Sequence, residues 1–221
     1  MSVEDEVLPD GTLLINAEDS GNKSTLPFVD VRHDDWFYQA INAVVSGWEI
    51  MVGTSDTTFS PNEPITRGIL ATILYRIEEV HVGNSTSFST RHSFDDVPSD
   101  AYYDEAISCA VENGIVTGYS DTIFAPNDSV TREELVTMLY RYFENLHPDI
   151  FWQDTGAIAS SFLDFDLVSE YARESMENAV MHGVLTGKTQ TTLEPQGTST
   201  RAEAAAIIYR FLNYTERDWD I

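Results

Sequence analysis

Residues 118–141 read GYSDTIFAPNDSVTREELVTMLYR, and closely similar segments occupy residues 53–76 and 187–210. Each copy begins with a glycine, places an apolar residue two positions before a proline, and continues to Thr-Arg and then Tyr-Arg at the same spacing. A fixed internal period of this kind is typical of a protein built from repeated supersecondary units. The sequence therefore predicts three copies of one unit.

The part of each copy that follows Thr-Arg has the period of an amphipathic helix with one core face. Its start matches a capping box in the second and third copies, where Thr131 precedes Glu134 and Thr200 precedes Glu203. In the first copy Ile69 stands in place of the glutamate, so that box is broken. The predicted core positions are Leu70, Ile73, Leu74 and Ile77; Leu135, Met138, Leu139 and Tyr142; and Ala204, Ile207, Ile208 and Phe211.

A second recurring motif lies upstream of each copy and consists of Phe, a variable residue, Asp and an apolar residue. A first helix is expected after it, over residues 36–45, 102–111 and about 168–181, and the stretch before each Thr-Arg is expected to hold a short strand and a turn. Each unit then reads as helix, loop and helix. One such helix pair is too small to bury its apolar face alone, so the three units should share one core. The motif copies are Phe28-Val29-Asp30-Val31, Phe94-Asp95-Asp96-Val97 and Phe162-Leu163-Asp164-Phe165.

Charge excludes several partners. The 37 Asp and Glu against 12 Lys and Arg give a net charge of -25, which disfavours nucleic acid and acidic membrane surfaces. Residues 1–23 lack the charged start and apolar centre of a secretion signal, so an exported protein would be represented here by a processed piece. The single cysteine, Cys109, lies in an apolar helical stretch and is expected to be a buried structural thiol.

Taken together, these motifs resemble the S-layer homology family, the modules by which bacterial surface proteins attach non-covalently to secondary cell-wall polymers. The resemblance covers residues 28–214 and is carried by the Phe-x-Asp-Val start, the Gly-x-x-Asp loop and the Thr-Arg-x-Glu helix start. It implies a mainly α fold of three helix-loop-helix repeats with short strands, arranged as a pseudo-threefold spindle around a central helical bundle. It also implies an extracellular anchoring module with no catalytic activity and no cofactor, located at the bacterial cell wall or S-layer.

The resemblance further implies ligand grooves between neighbouring lobes, each lined by the early aspartate, an aromatic at the start of the first helix, the loop glycine and the helix-start arginine. The third repeat departs from the pattern, because Glu170 stands where the aromatic is expected and Gln190 replaces the loop aspartate. The second repeat keeps the fuller motif, so its arginine is expected to matter more than that of the third. The residues carried over are Asp30, Trp36, Gly53 and Arg67; Asp96, Tyr102, Gly118 and Arg132; and Asp164, Gly187 and Arg201.

The distribution of cations supports an anionic ligand on physical grounds. Six of the 12 Lys and Arg fall in two repeated columns, Arg67, Arg132, Arg201 and Arg76, Arg141, Arg210. A planar guanidinium at a helix start suits a carboxylate such as a pyruvate ketal on a sugar. The same column would equally serve as a structural bridge between repeats. The second column lies farther along the helix and is attributed to favourable charge at its carboxyl end.

Three other functions fit the sequence less well. Catalysis is disfavoured, because the carboxylates form no unique pair and the histidines fall outside the repeated columns. A calcium-stabilised scaffold would use Asp56, Asp121 and Asp128, but these loops lack the alternating oxygen ligands of an EF-hand. Self-assembly of surface-layer subunits, with degenerate glycan grooves, remains the alternative, since the first capping box and the third repeat are altered.

The expected organisation divides the chain into repeats and connectors. We expect an N-terminal extension over residues 1–27, repeats over 28–80, 94–147 and 162–214, connectors over 81–93 and 148–161, and a tail over 215–221. No transmembrane run is present in the sequence, so no membrane insertion is expected. The expected partner is a secondary cell-wall polysaccharide, with self-association as the alternative.

Overall fold

The computed structural model describes residues 26–79, 91–148 and 155–216, and it is mainly α-helical over these ranges. The extension over residues 1–25, most of the first connector, residues 149–154 and the tail from 217 lie outside the described residues. Within the part that is described, no helix combines the length and apolarity needed to cross a membrane. The helices are α1 Tyr38–Asn42, α2 Arg67–Ile77, α3 Asp104–Glu112, α4 Arg132–Leu146, α5 Arg173–Met181 and α6 Arg201–Glu216.

The three helices that follow Thr-Arg, α2, α4 and α6, confirm the predicted core faces and starts. All twelve predicted core positions are buried. The Thr131 hydroxyl accepts from the backbone N–H of Glu134, whose carboxylate accepts from the N–H of Thr131, and Thr200 and Glu203 make the same pair. Thr66 keeps only the first of these two bonds, which its hydroxyl accepts from the N–H of Ile69. The broken capping box is thus a real local difference.

The first helices are shorter than the sequence predicts. α1 spans only Tyr38–Asn42 and continues as a π-helical turn over Ala43–Gly47, in which the N–H of Trp48 bonds to the carbonyl of Ala43. In the third repeat, two 3₁₀ turns, Phe165–Leu167 and Glu170–Ala172, occupy much of the predicted helix before α5 begins. Short 3₁₀ turns of this kind let the chain pass from one packed position to the next within a few residues.

Packing runs between repeats. The second helix of the first repeat packs on the first helix of the second repeat (α2 on α3), and α4 packs on α5 in the same way. The series closes because α6 packs back on α1. The principal helix contacts among the described residues therefore join neighbouring repeats, and one apolar core cluster includes buried residues from all three. Cys109 is part of the buried interior, as expected.

A closed ring of three hydrogen bonds ties the repeats together just before the second helices. The N–H of Ile65 bonds to the carbonyl of Ser199, that of Ser199 to the carbonyl of Val130, and that of Val130 to the carbonyl of Ile65, at 2.9–3.0 Å. Each repeat thus donates to one neighbour and accepts from the other. Because all three residues are buried, these bonds also satisfy polar backbone groups that would be costly to leave unpaired.

The predicted short strands are reduced to isolated β-bridges in the described residues. Pro64 bridges Thr200, Thr66 bridges Ser129 and Thr131 bridges Thr198, and no sheet forms. Three segments that meet around a ring pair over only one or two residues each, so they cannot extend into a ladder. The mainly α class and the three repeats are confirmed, and the spindle outline stays a prediction of the resemblance.

A buried polar cluster joins the ends of α2 and α4. Tyr142 donates to the Glu78 carboxylate at 2.8 Å, and Nε2 of His147 lies 2.9 Å from the same oxygen. Burial acts to raise the pKa of Glu78, but these hydrogen bonds and the charge of His147 outweigh it and hold the pKa below 4.5. The charged form of Glu78 is therefore favoured by the folded state, and its contribution to stability is complete only above that pH.

We expect Glu78→Gln to lower the free energy of unfolding at pH 7 by about 1–3 kcal/mol, since buried Tyr142 and half-buried His147 lose a charged acceptor. The loss should shrink as the pH falls below 4.5, where Glu78 itself becomes protonated, first in the unfolded chain and then in the folded one. Urea titrations at pH 3.5, 5 and 7 would measure this. The neighbouring Glu79→Gln, at an exposed position, is the control and should show neither effect.

One helix exit carries local strain. Gly114 and Gly183 follow α3 and α5 with φ of 68° and 72°, whereas Glu49 takes the equivalent place in the first repeat with φ of 57°. This left-handed conformation is energetically unfavourable for an L-residue with a side chain, but not for glycine.

We expect Glu49→Gly to raise the free energy of unfolding by about 0.5–1 kcal/mol. The same change at exposed Glu177 inside α5 should lower it by about 1 kcal/mol, and thermal denaturation of both variants would contradict us if the signs agreed.

Candidate functional site

The three helix-start arginines are buried and hold the neighbouring repeat. Arg67, Arg132 and Arg201 are 6%, 4% and 5% exposed. In each, Nε donates to the carbonyl of the apolar residue before the turn, and Nη2 donates to the carbonyl just before the loop glycine, at 2.6–3.0 Å. The carbonyls are those of Phe124 and Thr117 for Arg67, Leu193 and Thr186 for Arg132, and Phe59 and Val52 for Arg201.

Backbone contacts at the same helix starts follow the same cyclic order. The N–H groups of Arg67 and Gly68 bond to the carbonyls of Asp128 and Pro126 in the second repeat, and the other two starts are bonded in the same way. The first free amides of each helix are therefore already satisfied by protein. Any anion bound here would have to be held by the guanidinium, because these amides are no longer available.

The early aspartates hold the turn of their own repeat. Asp30 accepts from the N–H groups of Phe59 and Ser60 at 2.9 and 2.8 Å, one to each carboxylate oxygen. Asp96 and Asp164 make the equivalent pairs of bonds. The second residue of each pair has a positive φ, 58° at Ser60, 60° at Ala125 and 52° at Glu194. The aspartates therefore stabilise a strained turn in the loop before the second helix.

The loop glycines are required by close packing. A Cβ on Gly118 would lie 2.5 Å from Cε1 of Phe94 and 2.6 Å from the carbonyl oxygen of Ile123. Gly53 and Gly187 are equally confined, by Phe28 and Phe162 respectively. The glycine and the aromatic of the Phe-x-Asp start thus form one contact that closes the loop over its own repeat.

The exposed aromatics are the most accessible of the predicted site residues. Trp36 is 57% exposed and Tyr102 is 67% exposed, each just before the first helix of its repeat. In the third repeat the equivalent residue is Tyr171, 53% exposed, and not Glu170. The third repeat contains one extra residue in this segment, which shifts its register. Counting back from the fully buried residues Ile41, Ile107 and Met176 would have identified Tyr171 from the sequence.

The predicted site residues of one repeat do not form one site. Arg201 of the third repeat binds the loop of the first repeat and interacts electrostatically with Tyr102 of the second. Burial and Tyr103 raise the pKa of Tyr102, and the positive charges of Arg201 and Arg76 act in the opposite direction. We call this assembly junction 1, after the repeat that provides the loop, and define it by the loop Gly53–Thr58, Arg201 and Tyr102.

Junctions 2 and 3 have the same cyclic composition. Junction 2 is defined by the loop Gly118–Ile123 and Arg67, and junction 3 by the loop Gly187–Thr192 and Arg132. The cyclic order assigns Tyr171 to junction 2 and Trp36 to junction 3. In junction 2 the Tyr171 hydroxyl donates to Glu133 at 3.1 Å, and burial together with Glu133 raises the pKa of Tyr171.

The electrostatic surroundings of the three arginines differ. In junction 2, Glu134 lies 3.8 Å from Nη1 of Arg67, and the Tyr119 ring covers the guanidinium at 4.6 Å. In junction 3, burial lowers the pKa of Arg132, although the negative charges of Glu203, Glu194 and Asp164 act to raise it. Lys188 is paired with Glu203. In junction 1, burial likewise lowers the pKa of Arg201, whereas Tyr102 and Asp30 act to raise it.

The second arginine column has a separate role. Arg76 lies in the last turn of α2, as expected, and donates to the carbonyl of Ile50 at 3.3 Å within its own repeat. Arg141 and Arg210 lie before the last turns of longer helices, so the carboxyl-end interpretation fits only the first repeat.

Among the described residues, no group of three or more His, Cys, Asp or Glu could hold a metal ion.

Comparison with known proteins agrees with the repeat pattern. The family model described as S-layer homology domain matches residues 27–68, 93–136 and 161–205. The chain is 32% identical over 207 residues to an exoglucanase of Acetivibrio thermocellus, covering 91% of this chain and 18% of that protein. It is 33% identical over 175 residues to a surface-layer 125 kDa protein of Lysinibacillus sphaericus, covering 78% of this chain and 14% of that protein.

A cellulosome-anchoring protein of Acetivibrio thermocellus is 29% identical over 157 residues, covering 70% of this chain and 33% of that protein. The chain therefore spans a third or less of the length of these relatives.

We expect Gly118→Ala to lower the free energy of unfolding by about 1–3 kcal/mol, because the added methyl group cannot fit between Phe94 and the loop carbonyls. Gly47→Ala is the matched control, since no atom lies within 4 Å of a Cβ at that position. Chemical denaturation of both variants would test this. A loss at position 47 as large as that at 118 would contradict the packing explanation.

Proposed function

The chain belongs to the S-layer homology family, and we propose on this basis that it anchors a larger protein to the bacterial cell wall by binding an anionic secondary cell-wall polysaccharide. The family and the surface-layer and anchoring relatives indicate an extracellular location at the cell wall or S-layer. The proposed ligand is a polymer whose sugars carry carboxylates, such as pyruvate ketals. The binding elements are the three junctions between repeats.

The observation that carries the proposal is the buried guanidinium that recurs, in the same orientation, at the start of each second helix. Nε and Nη2 of each arginine are used by backbone carbonyls, which fixes the plane of the guanidinium before any ligand arrives. A preorganised donor loses little conformational entropy on binding. In junction 1, Tyr102 provides an exposed ring on which the apolar face of a sugar can stack.

Catalysis is not part of this proposal. The exoglucanase is matched over only 18% of its length, which leaves most of that protein outside the similarity. The described carboxylates nearest the arginines are engaged in capping, in turn stabilisation or in bonds to tyrosine. We therefore assign the module to attachment and leave chemistry to other parts of such proteins.

Self-association is a second candidate function, favoured by the similarity to a surface-layer protein. Two apolar side chains at equivalent positions, Val29 and Leu163, are 78% and 81% exposed. Sedimentation velocity over a range of protein concentrations distinguishes the two functions. Self-assembly predicts concentration-dependent oligomers without polymer, whereas attachment predicts a monomer that sediments with polymer.

We expect the chain to co-sediment with peptidoglycan sacculi and to lose this binding after mild acid has removed the wall polymer and its ketals. Binding that is unchanged by acid, or absent from untreated sacculi, would contradict a wall-polymer ligand.

We expect Tyr102→Ala to weaken binding to untreated sacculi about 5- to 10-fold, through loss of the stacking surface. Its melting temperature should stay close to that of the wild type, since the side chain is mostly exposed. Ile158→Ala, which removes an apolar side chain that is 65% exposed, is the matched control and should bind normally. Equal binding by all three proteins would remove Tyr102 from the site.

A further inference from the structure

The outer surface of the described chain is strongly acidic, because most of its basic side chains are withdrawn from solvent. Among the described residues, the exposed basic side chains are Arg32, Arg91 and Lys188, and the last two are paired with Asp104 and Glu203. The other described arginines are buried or half-buried, whereas exposed carboxylates occur in all three repeats. The net charge of -25 is therefore concentrated in an outer layer in which negative charge predominates.

Exposed carboxylates also lie on the loops that form the junctions. Asp56 and Asp121 lie on the loops of junctions 1 and 2, and Glu194 acts electrostatically on Arg132 of junction 3. All three carboxylates are exposed. An anionic polymer that approaches any of the junctions therefore meets negative charge before it reaches a guanidinium.

The repulsion at the surface and the contact at the arginine act over different distances. The Debye length, beyond which exposed charges are largely screened, is about 30 Å at 0.01 M salt and about 8 Å at 0.15 M. Arg67, Arg132 and Arg201 are buried, and a ligand would contact them only at a hydrogen-bond distance of about 3 Å. That contact is shorter than the Debye length at both salt concentrations. Salt should consequently weaken the repulsion much more than the contact.

We propose that ionic strength regulates the attachment of this module, and that added salt accelerates its association with the wall polymer. This inference rests on the proposed function, which provides a negatively charged polymer. At low salt the acidic surface and the polymer repel each other as like charges, and screening removes this barrier to approach. The expected sign is opposite to that of basic proteins on nucleic acid, whose affinity falls as salt is added.

The test measures association and dissociation rates separately. The probe is untreated sacculi immobilised on a biosensor surface, with acid-stripped sacculi as the blank. Between 10 and 150 mM NaCl, we expect the association rate to rise by about tenfold or more and the dissociation rate to stay within about twofold. Tetramethylammonium chloride at equal ionic strength should act equally, because screening does not require a cation that carboxylates can coordinate. An effect confined to sodium would overturn the inference.

A double variant, Glu79→Lys with Glu144→Lys, tests the range of the repulsion. Both carboxylates are exposed, and each follows a helix-start arginine by twelve residues, Arg67 and Arg132 respectively, or about 18 Å along a helix. This distance exceeds the Debye length at 150 mM salt but not at 10 mM. We expect association about twofold faster than the wild type at 10 mM and unchanged at 150 mM. Glu79→Asp with Glu144→Asp keeps the charge and is the matched control, with wild-type rates at both concentrations.

The possible outcomes separate the two proposals. Association that slows with salt, or that the double lysine variant accelerates equally at both salt concentrations, would overturn the inference and leave the proposed function intact. Circular dichroism spectra at 10 and 150 mM should coincide, and loss of the folded spectrum at 10 mM would overturn the inference by attributing the salt effect to folding. Absence of acid-sensitive sacculus binding at every salt concentration would overturn the proposed function and this inference together.

Discussion

The buried arginine at the start of each second helix is the interaction on which the rest of the fold depends. A guanidinium buried in an acidic protein needs acceptors, and here Nε and Nη2 find them in two carbonyls of the neighbouring repeat. Removing those carbonyls would leave a buried charge unpaired, which is among the costlier defects in a protein interior. The loop of each repeat is therefore held in place by a charge that belongs to another repeat.

The same hydrogen bonds fix the orientation of each guanidinium. Two of the arginine's nitrogens hold the loop and the ring of backbone bonds beside it, while the third is directed by the same rigid plane. What lies next to the third nitrogen differs between the repeats. Glu134 lies beside that nitrogen of Arg67, whereas the equivalent helix position of the first repeat holds the uncharged Ile69.

Much of the fold could be predicted, because it depends on local rules. Core faces such as Leu135 and Leu139, and caps such as Thr131 with Glu134, follow from helical period and from the hydrogen bonds of a helix start. The partners across the junctions could not be predicted. A repeat pattern is the same whether a helix packs within its own repeat or on the next, so the sequence could not indicate that Arg201 meets the loop of Gly53. Tyr171 was missed because one inserted residue shifts the register of the third repeat.

The closing contact between α6 and α1 has a consequence for how the chain folds. The N–H of Arg201 and the carbonyl of Glu63 are joined only after the third repeat is available, and this is one of the most distant contacts along the sequence. Contacts of long sequence separation are formed against a large loss of chain entropy and slow the search for the native state. A partly synthesised chain of two repeats would carry an unclosed ring with unpaired buried backbone groups. The molecule should consequently acquire its stability late and in one cooperative step.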